Sequence, residues 1–79
     1  MNPGDMVNLD VLEVDAEIGL WHELSDSGAC SQLVGCLNLN EVALVLETVE
    51  RCCYLFCRVV SPRGVVGWVC ADYLQRVTP

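Results

Sequence analysis

RVVSPRGVVGWVCADYL, Arg58 to Leu74, decides the fold. It reads as the end of one strand, a tight turn, a second strand and a short helical turn. Ser61-Pro62-Arg63-Gly64 supplies the turn, because Pro62 fixes φ and Gly64 takes a positive φ at no steric cost. Val59-Val60 and Val65-Val66 on either side are β-branched and suit strands. In the second strand Val65, Gly67 and Val69 share one face, and Val66, Trp68 and Cys70 share the other. The first face suits a barrel interior, with the glycine relieving crowding at a bend, and the second turns Trp68 outward.

The rest of the chain has the same short-strand character. Working back, Tyr54 to Val60 is a strand with both faces largely apolar, which suits a central strand or one covered by a partner. Glu50 to Cys53 is a turn, and Glu41 to Glu50 alternates as a strand although Glu, Ala and Leu favour helix. Asn38-Leu39-Asn40 is a turn after the apolar run Leu33 to Leu37. His22 to Gln32 reads as a loop, rich in Ser, Asp and Gly, after the apolar piece Ile18 to Trp21. Asp5 to Val14 is the first strand, with Val7, Leu9 and Val11 on one face and a phase slip after Val11 that suggests a bulge or bend. Cys70 to Asp72 is a short turn, and Leu74 to Val77 closes the chain. Short strands at close spacing without a convincing helix indicate one small all-β barrel domain of five strands over residues 1–79.

Composition bounds what such a domain does. With 79 residues, 53% of them hydrophobic and only 19% charged, a single core cannot hide all the apolar surface. The expectation is an apolar patch covered by a second copy or a partner. Net charge is −7, and the four basic residues are all arginine. That balance disfavours nucleic acid, which is held by neutralising phosphates, and favours a cationic partner. No stretch approaches the ~20 apolar residues of a membrane span. Met1 to Asp5 lacks a basic n-region and apolar core, so the expected location is the cytoplasm, with the six cysteines mostly free thiols.

These pieces together resemble the Src-homology-3 (SH3) fold, especially its bacterial SH3-like branch. The matching segments are Leu33-Val34-Gly35-Cys36-Leu37, Asn40-Glu41-Val42, Tyr54 to Val59, and Gly64 to Leu74, in which Gly67-Trp68-Val69 and Tyr73-Leu74 are the most specific. The resemblance implies a small barrel with a short 3-10 turn before the last strand. In the signalling branch an outward aromatic groove grips extended proline-rich peptides. Tyr54, Cys70 and Tyr73 stand at matching positions. Acids of the long loop pair there with an Arg or Lys of the ligand, which implies roles for Glu17, Glu23 and Asp26.

Other chemistries have thinner support. Cys30, Cys36, Cys52, Cys53, Cys57 and Cys70 contain no Cys-x-x-Cys pair, the usual mark of structural zinc. A disulfide involving Cys52 or Cys53 stays open as an alternative. His22 is the one histidine available as a base beside a thiol or hydroxyl, and it reads as a surface or packed residue next to Trp21. The acids from Asp5 to Asp26 read as a solvated face that also steers a basic partner. Phosphate-cradling glycine motifs are absent. The chain is therefore read as a non-enzymatic interaction module without a cofactor. Its partner, a peptide or protein of basic character, meets Trp21, Tyr54, Trp68 and Tyr73, edged by Glu17, Glu23 and Asp26. A homodimeric assembly unit or an accessory subunit is the alternative.

Overall fold

The computed structural model describes residues 1–77. The chain is all-β: β1 (Met6–Leu9), β2 (Glu17–Leu24), β3 (Cys30–Asn38), β4 (Ala43–Arg51), β5 (Tyr54–Val60), β6 (Val66–Cys70) and β7 (Leu74–Arg76). A 3-10 turn, Ala71–Tyr73, links the last two strands. The strands form one antiparallel sheet in the order β3-β2-β6-β5-β4-β1-β7. Among the described residues no helix is long and apolar enough to cross a membrane.

There are seven strands, not five. The two extra ones are the arms of the β2–β3 hairpin, which run through most of the segment read as a loop. Only Ser25 to Ala29 turns, closed by Ser25 N–H donating to Ala29 O at 2.9 Å and Ala29 N–H to Ser25 Oγ at 3.0 Å. His22, Glu23, Ser31 and Gln32 are exposed on this ribbon, so their polarity reflects wet strands rather than irregular chain. The first strand is also shorter than expected. It ends at Leu9, where Asp10 Oδ1 accepts from Leu12 N–H and Asp10 O accepts from Glu13 and Val14 N–H. The phase slip is thus a turn built on Asp10, and Val11 lies exposed instead of beside the buried Val7 and Leu9.

Every strand contributes to one apolar core: Val7, Leu9, Leu20, Leu37, Ala43, Val45, Cys57, Val59, Val69 and Leu74. A sheet whose two end strands, β3 and β7, share a core must curl into a half-barrel with that core on its concave side. A bulge at Leu46 lets β4 bend around it, shifting the register from Val45↔Val59 to Glu47↔Arg58. Gly67 is the point of tightest backbone contact. A Cβ there would lie 2.8 Å from Leu20 Cβ and 2.9 Å from Trp21 N, so the absence of a side chain lets β2 cross β6. The two strands are joined at the single register pair Trp21↔Trp68.

Turn chemistry holds the ends of the strands. Gly64 has φ +83, and Ser61 is buried with Oγ accepting from Val65 N–H at 3.2 Å. Arg63 Nη2 donates to Cys36 O at 2.7 Å and to Glu41 Oε1 at 2.9 Å, and the same Glu41 oxygen accepts from Asn38 N–H. That contact ties the β5–β6 turn to the β3–β4 connection. Between β4 and β5 the two turn residues are Cys52 and Cys53, with φ of 50 and 70. Positive φ at both central positions is what a two-residue hairpin of this hand needs, and cysteine meets it at a steric cost that glycine would avoid.

Candidate functional site

The convex face carries the exposed aromatics. Trp21 is the register partner of Trp68, and Phe56 of Cys70. Their neighbours in sequence, Leu20, Cys57 and Val69, point into the core, so these four lie on the opposite face, where Phe56 is nonetheless buried and the two tryptophans are half-buried. Tyr54 lies two residues before Phe56 on the same face of β5. The 3-10 turn then brings Asp72 and Tyr73 beside them.

An open hollow of about 480 Å³ forms there, and Trp21, Tyr54 and Tyr73 all line it. Ile18, Gly19, Gly28, Cys30, Phe56 and Cys70 also line it. Gly19 matters locally: a Cβ would lie 2.7 Å from Leu33 Cδ1 and 3.2 Å from Trp21 Nε1. The indole edge and Leu33 fill the space above that glycine, which seats Trp21 against its own strand. The tyrosine rings stay open, at 54% exposure for Tyr54 and 40% for Tyr73.

Three of the four expected aromatics therefore meet in one place. Trp68 does not line this hollow. It borders a second one, of about 470 Å³, with His22, Glu47, Arg58, Val66 and Gly67. Arg58 Nη2 meets Glu47 Oε2 there at 2.6 Å. No cysteine lines that hollow beside His22, and among the described residues no three His, Cys, Asp or Glu side chains gather as a metal would require.

The expected acids are spread out. Glu17 and Glu23 sit at the two ends of β2, about 20 Å apart at strand rise. Asp26 lies in the hairpin turn, fully exposed, 3.9 Å from Arg51 Nε. An exposed pair at that distance contributes little. Sequence reasoning did not single out Phe56, Asp72 or Cys30 for the site. Phe56 was detectable through its i+2 relation to Tyr54, and Asp72 through its place beside Tyr73. Cys30 had no signal while its strand was read as loop.

Electrostatically the hollow is neutral to acidic. Burial pushes the Cys30 thiol above its ordinary value of 9.0, and Cys70 nearby adds to the shift. Cys57, behind the wall, is also raised, chiefly by burial; the chain's amino terminus works against this, while Cys70 and Asp5 add to it. A raised thiol stabilises the fold fully below 9.0, and that contribution is lost as pH climbs through the raised value. The six cysteines are free, Cys52 and Cys53 exposed and Cys57 buried. Alkylation followed by mass spectrometry is expected to label Cys52 and Cys53 first and Cys57 only on unfolding. Early labelling of Cys57 would show that the sheet opens more readily than its packing implies.

Compared with protein-family models, curated proteins and solved structures, the chain gives no match in any of the three.

Proposed function

We propose that this domain is a non-enzymatic interaction module of SH3-like type, which binds a basic peptide or protein through the hollow of Trp21, Tyr54 and Tyr73. The observation that carries the reading is convergence. Three aromatic rings from β2, β5 and the 3-10 turn, distant in sequence, border one open hollow that no basic side chain lines. Open aromatic faces with a polar rim are the usual anchors of partner contacts. The order of elements supports the SH3-like reading: a first strand, a long hairpin, three further strands, a 3-10 turn and a last short strand. Tyr54, Cys70 and Tyr73, the positions that the resemblance marks as a groove, all line the hollow. Trp68, in the neighbouring hollow beside Trp21, extends the surface. Glu17, Glu23 and Asp26 act at longer range, steering rather than touching.

A second reading, self-assembly, is favoured by β3. This end strand of nine residues carries no charge and exposes Leu33 and Val34. Such an edge is a template for pairing with another chain, although the register shift opposite Leu20 and Trp21 interrupts it.

One experiment separates the two. Peptides selected from a random library on the immobilised protein are expected to be basic, and to bind about tenfold more weakly to Tyr73→Ala. Tyr73 is well exposed, so the variant keeps its fold. A selection that enriches nothing, from protein that elutes as a dimer, supports assembly and sinks the module.

A further inference from the structure

We propose that Cys52 and Cys53 are a redox site: a hydroperoxide closes them into a vicinal disulfide, which loosens the part of the hollow's wall that the reduced turn holds in place. The consequence for partner binding rests on the reading of that hollow given above; the thiol chemistry does not.

Exposure selects the pair. Of the six cysteines, Cys52 and Cys53 are the exposed ones, and Cys57 is buried. Burial holds the Cys30 and Cys57 thiols above 9.0, which leaves little thiolate there to react. Oxidation favours accessible thiolates, and a second thiol alongside resolves the first product into a disulfide. One thiolate of the pair attacks a peroxide oxygen; the O–O bond breaks, a sulfenic acid forms and water leaves. The neighbouring thiol then displaces the hydroxyl from that sulfur, forming the S–S bond and a second water. The two thiols lose two electrons and two protons, and hydrogen peroxide is reduced to two waters.

Position connects the pair to the hollow. Cys52 and Cys53 are the central residues of the β4–β5 turn, enclosed by the register pair Arg51↔Tyr54. The Cys52 thiol donates to Ser27 O at 3.1 Å, which ties this turn to the turn of the β2–β3 hairpin. Beside that bond a Cβ on Gly28 would lie 3.6 Å from the Phe56 ring and 3.7 Å from Arg51 Cβ. On the other side Cys53 leads directly into Tyr54. Gly28, Cys30, Tyr54 and Phe56 all line the hollow, so the turn reaches its wall from two directions.

Oxidation acts on both. A disulfide sulfur carries no proton, so the donor to Ser27 O is lost. The neighbouring Arg51–Asp26 pair, at 3.9 Å with Asp26 fully exposed, does little to replace it. The ring also strains the turn, because adjacent Cα atoms are about 3.8 Å apart, closer than the roughly 4.4–6.8 Å usual for a disulfide. The backbone is thereby driven from its φ of 50 and 70, and Tyr54 moves with it. A strained, exposed disulfide is easily reduced, so a thiol reductant restores the turn.

The test begins with intact-mass spectrometry after treatment with one equivalent of hydrogen peroxide. Loss of two hydrogens is expected, with peptide mapping placing the bond between Cys52 and Cys53 and a reductant restoring both thiols. Amide hydrogen exchange followed by NMR is then expected to quicken about fivefold at Ser25 and Gly28, whose N–H groups donate within the hairpin turn, on the scale of one hydrogen bond. Cys52 is exposed, so its variants keep the fold. Cys52→Ser retains a donor and cannot form the ring, and its exchange is expected to ignore peroxide. Cys52→Ala, which removes the donor without oxidation, is expected to exchange fast from the start. Protein that stays reduced, a bond between other cysteines, a covalent dimer, or a ring that leaves exchange at Ser25 and Gly28 unchanged would each overturn the proposal. Library-selected peptides are expected to bind the oxidised protein about fivefold more weakly, and equal binding to both forms would also overturn it. If exchange quickens as expected and selection enriches no peptide in either state, the redox site stands and the module reading falls. If peptides bind and no ring forms, the module stands and the redox site falls.

Discussion

Gly67→Ala is expected to cost about 3 kcal/mol of stability, near the upper end for overpacking a core, and to lower the melting temperature by roughly 15 °C. The reason is where the new methyl would go. It would meet Leu20 Cβ at 2.8 Å, Trp21 N at 2.9 Å and Leu20 C at 3.0 Å. Two of those atoms are backbone and the third is fixed to it, so no rotamer change relieves the clash. The strands β2 and β6 must separate, and they are joined at one register pair. Gly64→Ala, three residues earlier, is the instructive control. Nothing lies within 4 Å of its added Cβ, and the cost comes only from its φ of +83, about 1 kcal/mol. Thermal unfolding followed by circular dichroism checks both. Equal shifts for the two variants would show that the crossing at Gly67 is looser than the distances say.

Leu20→Ala is expected to cost about 3 kcal/mol for a different reason, the loss of buried methyl groups together with the cavity they leave. Leu20 is fully buried at the centre of the core, and β2 contributes no other side chain to that cluster's buried set. Leu12→Ala, at a residue 89% exposed, is expected to change stability by less than about 0.5 kcal/mol. Urea unfolding midpoints measure the contrast. The double variant adds a sharper test. Alanine at 20 keeps Cβ and the backbone atoms, so it cannot relieve the clash at Gly67→Ala, and no rescue is expected. A double variant more stable than Gly67→Ala alone would show that the outer part of the leucine, rather than the backbone, makes the crossing tight.

Strand β5 was legible because its sides are both apolar and its ends carry turn signals; the structure has it at Tyr54–Val60, as read. The Ser61–Gly64 turn was legible through proline and glycine, whose backbone preferences act without tertiary help. The β2–β3 hairpin was not. Its outer half is exposed, so hydropathy has nothing to alternate against, and Ser, Asp and Gly in its turn colour the flanking residues as loop. The slip after Val11 was visible, but a bulge and a turn on Asp10 give the same pattern until the hydrogen bonds are seen. The Cys52–Cys53 turn was placed correctly, although neither residue advertises the positive φ that both adopt. For the site, Tyr54 came only from the resemblance, while alternation along β6 was enough to put Trp68 outward. It could not say that Tyr73 joins Trp21 and Tyr54 while Trp68 borders the next hollow, because that depends on how far the sheet curls.

The pairing of β1 with β7 has a kinetic side. Leu9 and Leu74 are register partners, and Val77 N–H donates to Met6 O at 2.9 Å, so segments near the two ends of the sequence share a ladder. The β4–β5 hairpin closes across two residues, whereas this ladder closes across almost the whole polypeptide. Loop-closure entropy rises with the logarithm of the length spanned, so the hairpin recovers its ordering cost early and the β1–β7 ladder late. With three of its six strand pairings non-local, the closing of the sheet is set by topology more than by local propensity. The same three-residue strand is expected to open first, since it is short and one buried leucine anchors it, and hydrogen exchange at its amides checks this. The 3-10 turn that carries Asp72 and Tyr73 directly precedes that strand, which couples the shape of the hollow to the last contact made.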